Sequence, residues 1–430
     1  MDILVKNVTA VVPLEEMTDV EVTDIYIKDG IIAGMGEEPD EFKADKVIDG
    51  TGKLAIPALV NAHTHGYMSL YRGYADDVTL QEWLFNNMFP LEDATTPDDG
   101  YWGALLGYAE MLKTGTGAFL DMDIFGEPSC RAAADIGIRG VFSRGLVGKD
   151  RNDEAGIKRL NVVRDCLSQF KHNNKITFAI GPHAVYTTGR DYLEYCAEVA
   201  EELSLSVHIH VSETVAEVEN CKRDNGKSPV EYIAETGLFD RSCIAAHCVH
   251  LSDEDIAILS DKGVNIAHNP KSNLKLASGI APVPKLVAAG LNVCLGTDGA
   301  ASNNQLNMFS EMNFAALLHK GATLDPLALS ALDVFKMATE NGARALGLNS
   351  GLLEPGRKAD ITILDLNRTN LIPNSNNLIS ALCYSATGTE VETVIVGGEV
   401  VLEGGKLTKV DEEEVKAKAE EAATRIKAKL

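Results

Sequence analysis

The chain has 430 residues, of which 45% are hydrophobic and 24% charged, and this balance excludes a disordered or fibrous protein. Its 39 basic and 63 acidic residues leave a formal net charge of −24. Because such a field repels phosphodiester backbones and anionic membrane surfaces, the composition argues against nucleic acid and membranes as partners and leaves a small neutral or zwitterionic molecule open.

The start of the chain, MDILVKNVTAVVPLEE, lacks a basic stretch followed by a long apolar run. About eighteen uncharged apolar residues never occur together, so no membrane span is expected. The eight cysteines are scattered without a CxxC pair and are interpreted as reduced core residues. These features predict a cytoplasmic protein.

Both ends of the chain have the texture of a small β-sheet. Short β-rich runs separated by turn signals fill the first 55 residues or so, and similar runs return in KADITILDL and VETVIVGGEVVLEGGK after a helical segment around 329–347. The last segment, VDEEEVKAKAEEAATRIKAKL, is a charged amphipathic helix expected to pack one face on its own or a neighbouring subunit. We predict three parts: residues 1–56 and 356–430, which form a β-sandwich plus the terminal helix, and a central unit of residues 57–355.

Eight short apolar runs lie in the central unit, separated by segments long enough to hold a helix. Buried parallel strands are continuously apolar rather than alternating, and most of these runs are. An α/β fold is predicted, a (β/α)8 TIM barrel with a small β-sandwich domain formed by both chain ends. The runs are ALVNAHTH, GAFLDMD, GVFSRGLV, ITFAIGPHAV, SVHIHVSE, CIAAHCVH, VNIAHNP and NVCLGTDGA.

Polar residues gather at the C-terminal ends of these runs, which meet at one mouth of a barrel. Seven of the ten histidines lie on or just past such ends: His63, His65, His183, His210, His247, His250 and His268. His63 and His65 are two apart on a strand, so both side chains face the same side and can reach one ion.

A third histidine, His210, and a carboxylate, Asp298, complete a ligand set that suits zinc with one position open for water. A single histidine of this kind is as readily a hydrogen-bonded core residue, but four ligands at four strand-end positions favour a metal site. No lysine lies at the mouth of the fourth strand, so one metal is predicted, and the same ligands would also accept iron or manganese.

Several long stretches resemble the amidohydrolase superfamily and, within it, the 5-methylthioadenosine/S-adenosylhomocysteine deaminases. The most specific are PALVNAHTHGYMSLYRGYADDVTLQEWL (57–84), HIHVSETVAEVENC (208–221), AHNPKSNLKLASGIAPVPKLVAAG (267–290) and LGTDGAASNNQLNMFSEMNFAALL (295–318). The resemblance implies zinc-dependent hydrolytic deamination of adenosine-type nucleosides to the inosine analogue and ammonia. The expected substrates are 5-methylthioadenosine, S-adenosylhomocysteine, 5′-deoxyadenosine or adenosine, and the resemblance favours a homo-oligomer.

Deamination of an adenine requires water to attack C6, a proton on ring N1 and a proton for the leaving amine. Glu213 is assigned the N1 protonation; the alternative is a carboxylate that stabilises a helix N-terminus. Asp298 can accept the proton of the attacking water, and His247 resembles the family histidine that orients this water without binding the ion. A purely structural His247 is the alternative.

Substrate contacts follow from the resemblance. Trp83 resembles the family's aromatic wall against the base, and Glu92 resembles the carboxylate that accepts hydrogen bonds from the ribose diol. His183 matches a position that contacts the ribose or its 5′ substituent, Arg144 matches a substrate-side arginine, and Ser302 is also assigned to the substrate. The alternatives for Trp83 and Glu92 are a core aromatic and a helix-start acid.

The family often carries a second arginine that grips the homocysteine carboxylate, and this sequence offers only Lys158 or Arg159 in DEAGIKRLN. Because a lysine cannot bind a carboxylate bidentately, 5′-deoxyadenosine, 5-methylthioadenosine or adenosine become stronger candidates. Guanine or pterin deaminases and triazine chlorohydrolases are the alternative enzymes and should lack the diol-binding carboxylate. A non-catalytic scaffold protein would be expected to lose metal ligands, and none is missing.

Overall fold

The computed structural model describes residues 1–13 and 18–430. In these residues two sheets, one of nine strands and one of eight, account for the named strands. In chain order they are β1 (Ile3–Pro13), β2 (Thr18–Lys28), β3 (Ile31–Met35), β4 (Lys46–Asp49), β5 (Lys53–Pro57), β6 (Leu59–Thr64), β7 (Thr116–Asp123), β8 (Arg139–Leu146), β9 (Ile176–Pro182), β10 (Ser206–Val211), β11 (Cys243–His247), β12 (Asn265–His268), β13 (Val293–Leu295), β14 (Ile361–Asp365), β15 (Val391–Val396), β16 (Glu399–Glu403) and β17 (Lys406–Leu407).

Helices fill most of the connections. They are α1 (Phe89–Ala94), α2 (Pro97–Lys113), α3 (Glu127–Ile136), α4 (Glu154–Phe170), α5 (Arg190–Glu202), α6 (Val215–Asn225), α7 (Pro229–Ala234), α8 (Asp253–Asp261), α9 (Pro270–Lys275), α10 (Val283–Ala288), α11 (Ala300–Asn303), α12 (Met308–Thr323), α13 (Ala331–Met337), α14 (Glu340–Ala345), α15 (Leu378–Tyr384) and α16 (Glu412–Lys427). Short 3-10 helices lie at Gly66–Tyr71, Leu238–Asp240 and Thr369–Leu371, and a π-helix spans Glu82–Met88. In the part of the chain described, no helix is both long and apolar enough to cross a membrane.

The eight strands β6 to β13 are parallel and pair in sequence order. The barrel closes where the backbone amides of Thr297 and Asp298 donate to the carbonyl of His63, at 3.1 and 2.9 Å. All eight apolar runs therefore form the predicted strands, and the TIM barrel is confirmed. Closure therefore brings Asp298, from the loop after β13, beside the end of β6, where the predicted metal ligands His63 and His65 lie.

Strands from the two chain ends join in the other sheet, where β5 pairs with β1 on one side and with β14 on the other. A separate apolar core forms beneath it from both ends, with Ile3, Val5, Ile25, Ile27, Ile361, Ile363 and Ile395 all buried. The predicted β module built from both ends is confirmed. The limits of 56 and 355 between the three parts stay a prediction.

A buried ion pair connects the sheet to the barrel. Arg139, which begins β8, donates through Nε and Nη2 to the two carboxylate oxygens of Asp360, at 2.8 and 2.9 Å. Both side chains are 3% exposed. A buried charge pair is tolerated when it is bidentate in this way, because each charged group then keeps its hydrogen bonds.

The terminal helix α16 packs against α2 of its own chain. Arg425 donates to Asp99 at 2.5 Å, and Lys113 donates to Glu412 at 2.7 and 2.8 Å. Its apolar side, with Ala422 buried, belongs to the same apolar cluster as Trp83 of the π-helix. The predicted helix is confirmed, and it supports the segment that precedes α2.

Candidate active site

The four predicted metal ligands converge at the C-terminal mouth of the barrel. Asp298 Oδ1 lies 3.3 Å from Nε2 of His63 and 3.3 Å from Nε2 of His65. The ligand atoms of His63, His210 and His247 also lie within 4.8 Å of one another. His63 Nε2 is buried without a hydrogen-bond partner among the described residues, which is the state of a nitrogen that needs a cation. These residues fit a divalent metal ion.

Two of the histidines are oriented by backbone carbonyls. His65 Nδ1 donates to the carbonyl of Met122 and His210 Nδ1 donates to that of His183, both at 2.8 Å. A carbonyl can only accept, so each ring carries its proton on Nδ1 and presents the lone pair of Nε2 to the centre. Metal-binding histidines are oriented in this way in proteins generally.

A chain of hydrogen bonds fixes the tautomer of His63. Ser143 Oγ donates to the carbonyl of Asp121 at 3.3 Å, so its lone pair accepts from His208 Nδ1 at 2.7 Å. His208 Nε2 then accepts from His63 Nδ1 at 2.9 Å, which leaves a lone pair on His63 Nε2. Burial lowers the pKa of His63 to about 4, so the ring is neutral at physiological pH.

His208 is not among the seven histidines that the sequence places at strand ends, and no role is predicted for it. Its spacing of two from His210 puts both side chains on one face of β10, as for His63 and His65. That spacing was the available signal for a residue that supports the metal site.

Asp298 is held by donors on both carboxylate oxygens. The amide of Gly299 donates to Oδ1 at 2.8 Å, and Ser272 and Ser302 donate to Oδ2 at 2.6 and 3.0 Å. The structure thus places the fully buried Ser302 behind the metal site, against Asp298. Its assignment as a substrate contact stays a prediction, and Ser272 was not predicted at all.

Alanine at Ser302 separates these two roles. If its hydroxyl mainly orients Asp298, the variant should bind metal about 10- to 100-fold more weakly, as should Ser272→Ala, while its KM at saturating metal stays unchanged. Metal titration followed by steady-state kinetics measures both quantities. A raised KM with unaltered metal affinity would instead support the substrate contact.

The mouth is built on unusual backbone. Ser212, His247 and Asp298 have positive φ values of 51°, 72° and 61° although none is glycine. Such conformations cost about 1–2 kcal/mol each and are found where a site requires them. Gly66, next to His65, permits a close approach, since a Cβ there would lie 2.6 Å from the Tyr108 ring and 2.7 Å from Asp121 Oδ2.

Glu213 faces the centre from the loop after β10. Its side chain accepts from Ser278 Oγ at 3.1 Å, and Oε2 lies 3.8 Å from His247 Nε2. Burial raises the pKa of its carboxyl, which favours a proton that can be donated. Glu217 accepts from the backbone amide of Glu213 at 2.7 Å and so fixes where the residue sits. The first turn of α6 is capped by Thr214 rather than by Glu213.

A cavity of about 520 Å³ opens over the centre. Its wall contains nine of the predicted site residues: His65, Trp83, Glu92, Arg144, His183, His210, Glu213, His247 and Asp298. His63 and Ser302 are not in that wall. Apolar side chains that sequence reasoning missed form much of the rest, among them Met68, Leu84, Phe89, Met122, Phe125 and Leu276.

Trp83 and Glu92 enter the cavity from the segment between β6 and α2. Trp83 is part of a buried apolar cluster and also lines the cavity, so the core and wall interpretations both describe it. Glu92 Oε1 accepts from the hydroxyl of Tyr67 at 2.5 Å. Burial raises the pKa of Glu92 to about 7, and Tyr67, which was not predicted, opposes this shift by stabilising the carboxylate.

The cavity wall contains two arginines, Arg144 and Arg159. Arg144 donates to the carbonyl of Gly145 at 3.1 Å, and its buried Nε lacks a partner among the described residues. Arg159 also lines the cavity and donates to the carbonyl of Val147 at 2.9 Å, whereas Lys158 is exposed and outside it. His183 Nδ1 is hydrogen-bonded to Thr187 Oγ1 at 2.9 Å. Burial lowers the pKa of His183 to about 4.

The assembled groups can perform a hydrolysis. The imidazoles and the Asp298 carboxylate are suited to a divalent cation, burial raises the pKa of the Glu213 carboxyl, and an apolar cavity limits the access of bulk water.

The chain belongs to the amidohydrolase family, whose sequence pattern it matches over residues 54–401. It is 45% identical to the 5-methylthioadenosine/S-adenosylhomocysteine deaminase of Acetivibrio thermocellus, over 99% of this chain and 100% of that one. It is also 45% identical to the 5′-deoxyadenosine deaminase of Methanothermobacter thermautotrophicus, over 94% of each chain. A zinc-bound adenosine deaminase from Xanthomonas campestris superposes with a TM-score of 0.93, at 32% identity and 99% coverage of both chains. The protein is a metal-dependent hydrolytic deaminase of this family.

Proposed function

We propose that the protein is a zinc enzyme that deaminates adenosine-type nucleosides at C6, giving the inosine analogue and ammonia. The observation that carries the proposal is that Glu92, Glu213 and three of the four predicted metal ligands, His65, His210 and Asp298, line a single cavity. The Glu92 carboxylate can accept hydrogen bonds from the two ribose hydroxyls of a nucleoside, and a free base or a triazine has no such hydroxyls. The similarity to deaminases named for three such nucleosides supports the same class of substrate.

In this proposal the side chains divide the proton transfers. His63, His65, His210 and Asp298 would hold a divalent ion, which would supply a bound water with a pKa lowered towards about 7. Asp298 accepts a proton from the attacking water, and His247 Nε2 orients that water towards C6. The Glu213 carboxyl donates its proton to ring N1 and then takes part in protonating the departing amine. Trp83 packs against the base, and Glu92 holds the ribose.

The 5′ end of the nucleoside would lie near Arg144, Arg159 and His183. Because Arg159 is an arginine within the cavity wall, the carboxylate of S-adenosylhomocysteine has a candidate partner, and this supports keeping it beside 5-methylthioadenosine and 5′-deoxyadenosine. Zinc is the proposed native ion, with iron or manganese as the other candidates. We also propose a cytoplasmic homo-oligomer that binds neither nucleic acid nor membrane, and the eight free cysteines are consistent with a reducing compartment.

Alanine at Glu92 tests the nucleoside assignment. The variant should lose about 10- to 100-fold in kcat/KM on adenosine, 5′-deoxyadenosine, 5-methylthioadenosine and S-adenosylhomocysteine, because it removes charge-assisted hydrogen bonds worth about 1.5–3 kcal/mol. The decrease in adenine absorbance measures turnover. Glu82→Ala, at an exposed position of the π-helix, serves as the control. Unchanged turnover of nucleosides in Glu92→Ala, or equal turnover of guanine by the unmodified enzyme, would contradict the proposal.

A further inference from the structure

His247 is fixed by a side chain that was not among the site residues predicted from the sequence. Its Nδ1 lies 2.8 Å from Oδ1 of Asn273, which is in α9. Both residues are 1% exposed, so bulk water does not compete for this hydrogen bond. An amide oxygen can only accept, hence His247 carries its proton on Nδ1.

The opposite nitrogen is therefore left as a lone pair. His247 Nε2 lies 3.8 Å from Glu213 Oε2. A ring nitrogen of His247 also lies within 4.8 Å of ring nitrogens of His63 and His210. A neutral ring in this tautomer can accept a hydrogen bond from a water over the metal site, and the other tautomer could only donate one.

Asn273 also supports the proposed proton donor through its backbone. Its carbonyl accepts from the amide of Ser278 at 2.7 Å, and Ser278 Oγ donates to Glu213 Oε1 at 3.1 Å. One residue thus contacts His247 with its side chain and the partner of Glu213 with its main chain. The two groups that act on the attacking water and on the base share this support.

Asn269 is the neighbouring amide, and it does not duplicate this contact. Its Nδ2 is 3.4 Å from His247 Nδ1, which is longer than the bond from Asn273, and an amide NH2 cannot accept the ring proton. Asn273 Nδ2 has no hydrogen-bond partner in the described part of the chain. A buried NH2 group without a partner lowers stability. Asn273 is therefore better explained by the hydrogen bond that its Oδ1 accepts from His247 than by a contribution to stability.

We propose that Asn273 is a positioning residue for the deamination reaction, which selects the Nδ1-protonated tautomer of His247 and aligns it with Glu213. This inference rests on the proposed function for the role of the two groups, but the hydrogen bond and the tautomer do not depend on the substrate.

Three substitutions of Asn273 test the inference. Asn273→Ala and the volume-filling Asn273→Leu remove the acceptor, whereas Asn273→Asp keeps an acceptor oxygen. We expect kcat to fall about 10- to 100-fold in the first two with KM changed less than about twofold, and Asn273→Asp to recover most of the loss. Asn265→Ala is the matched control, because it removes a buried amide from the N-terminal end of β12, and it should lower thermal stability without lowering kcat.

The tautomer is read directly from the zinc-loaded protein labelled with 15N-histidine, with the His247 signals assigned by their loss in His247→Asn. The unmodified protein should show a protonated Nδ1 and an unprotonated Nε2, and Asn273→Leu should show a mixture. An Nε2-protonated ring in the unmodified protein, or an unchanged kcat in both acceptor-free variants, would overturn the inference. An unmodified enzyme that is inactive on every nucleoside would instead contradict the proposed function, because the 15N spectrum needs no turnover.

Discussion

Replacing His210 by alanine is expected to abolish metal binding and to reduce deamination to background. The imidazole is held by the carbonyl of His183, which leaves the lone pair of its Nε2 for the ion. His63, His65 and Asp298 would remain, but three ligands without His210 leave the ion exposed to exchange with solvent. Metal analysis of protein purified without chelator, together with turnover of 5′-deoxyadenosine, gives both measurements.

His172→Ala is the control for this experiment, because His172 is exposed in the loop after α4 and is not part of the cavity wall. It should retain both the metal content and the activity of the unmodified protein. Full metal occupancy with normal turnover in His210→Ala would mean that the ligand set is wrong. Removal of the metal by a chelator, followed by recovery with added zinc, checks the same conclusion without a substitution.

Glu213→Gln should lower kcat by about 10²- to 10⁴-fold while the metal content stays unchanged, since proton transfer by one positioned group contributes a factor of this size. The amide keeps the volume and can still accept from Ser278, but it has no proton of carboxylic acidity to give to N1. Burial raises the pKa of Glu213 and favours its protonated form. The expected result is therefore a loss in kcat rather than in KM.

Glu219→Gln is the matched control, since Glu219 is an exposed residue on α6 six positions further along the chain. Steady-state kinetics of both variants, with metal content measured on the same preparations, separates a chemical role from a structural one. Equal kcat values for the two variants would assign the proton transfer to another group.

The sequence predicted the barrel well because its strands are short, apolar and buried on both faces, and each ends in polar residues. The runs that contain His63, His210 and Asp298 could be aligned at one mouth from topology alone, and the structure brings those residues within a few ångströms. The β module was predictable because its strands alternate with turn signals at both ends of the chain.

The supporting contacts could not be predicted in the same way. Ser272 and Asn273 lie on the short helix α9, and their partners Asp298 and His247 lie at the C-terminal ends of two different strands, so only the folded chain brings them together. Tyr67 and Glu92 are 25 positions apart and lie in two different short helices, with a π-helix between them. The apolar wall is assembled from a strand, a loop and several short helices, so no single hydrophobic period marks it in the sequence.

The contact of α16 with the cluster around Trp83 has a consequence for how the enzyme can diverge. Ala422 and Ile426 are not in the cavity wall, yet they share an apolar cluster with Trp83, the side chain proposed to stack on the base. Lys429 further donates to the carbonyl of Ala94, at the end of the helix that carries Glu92. Small changes of volume in this remote helix give evolution a means of adjusting affinity gradually while the groups that perform the chemistry stay as they are.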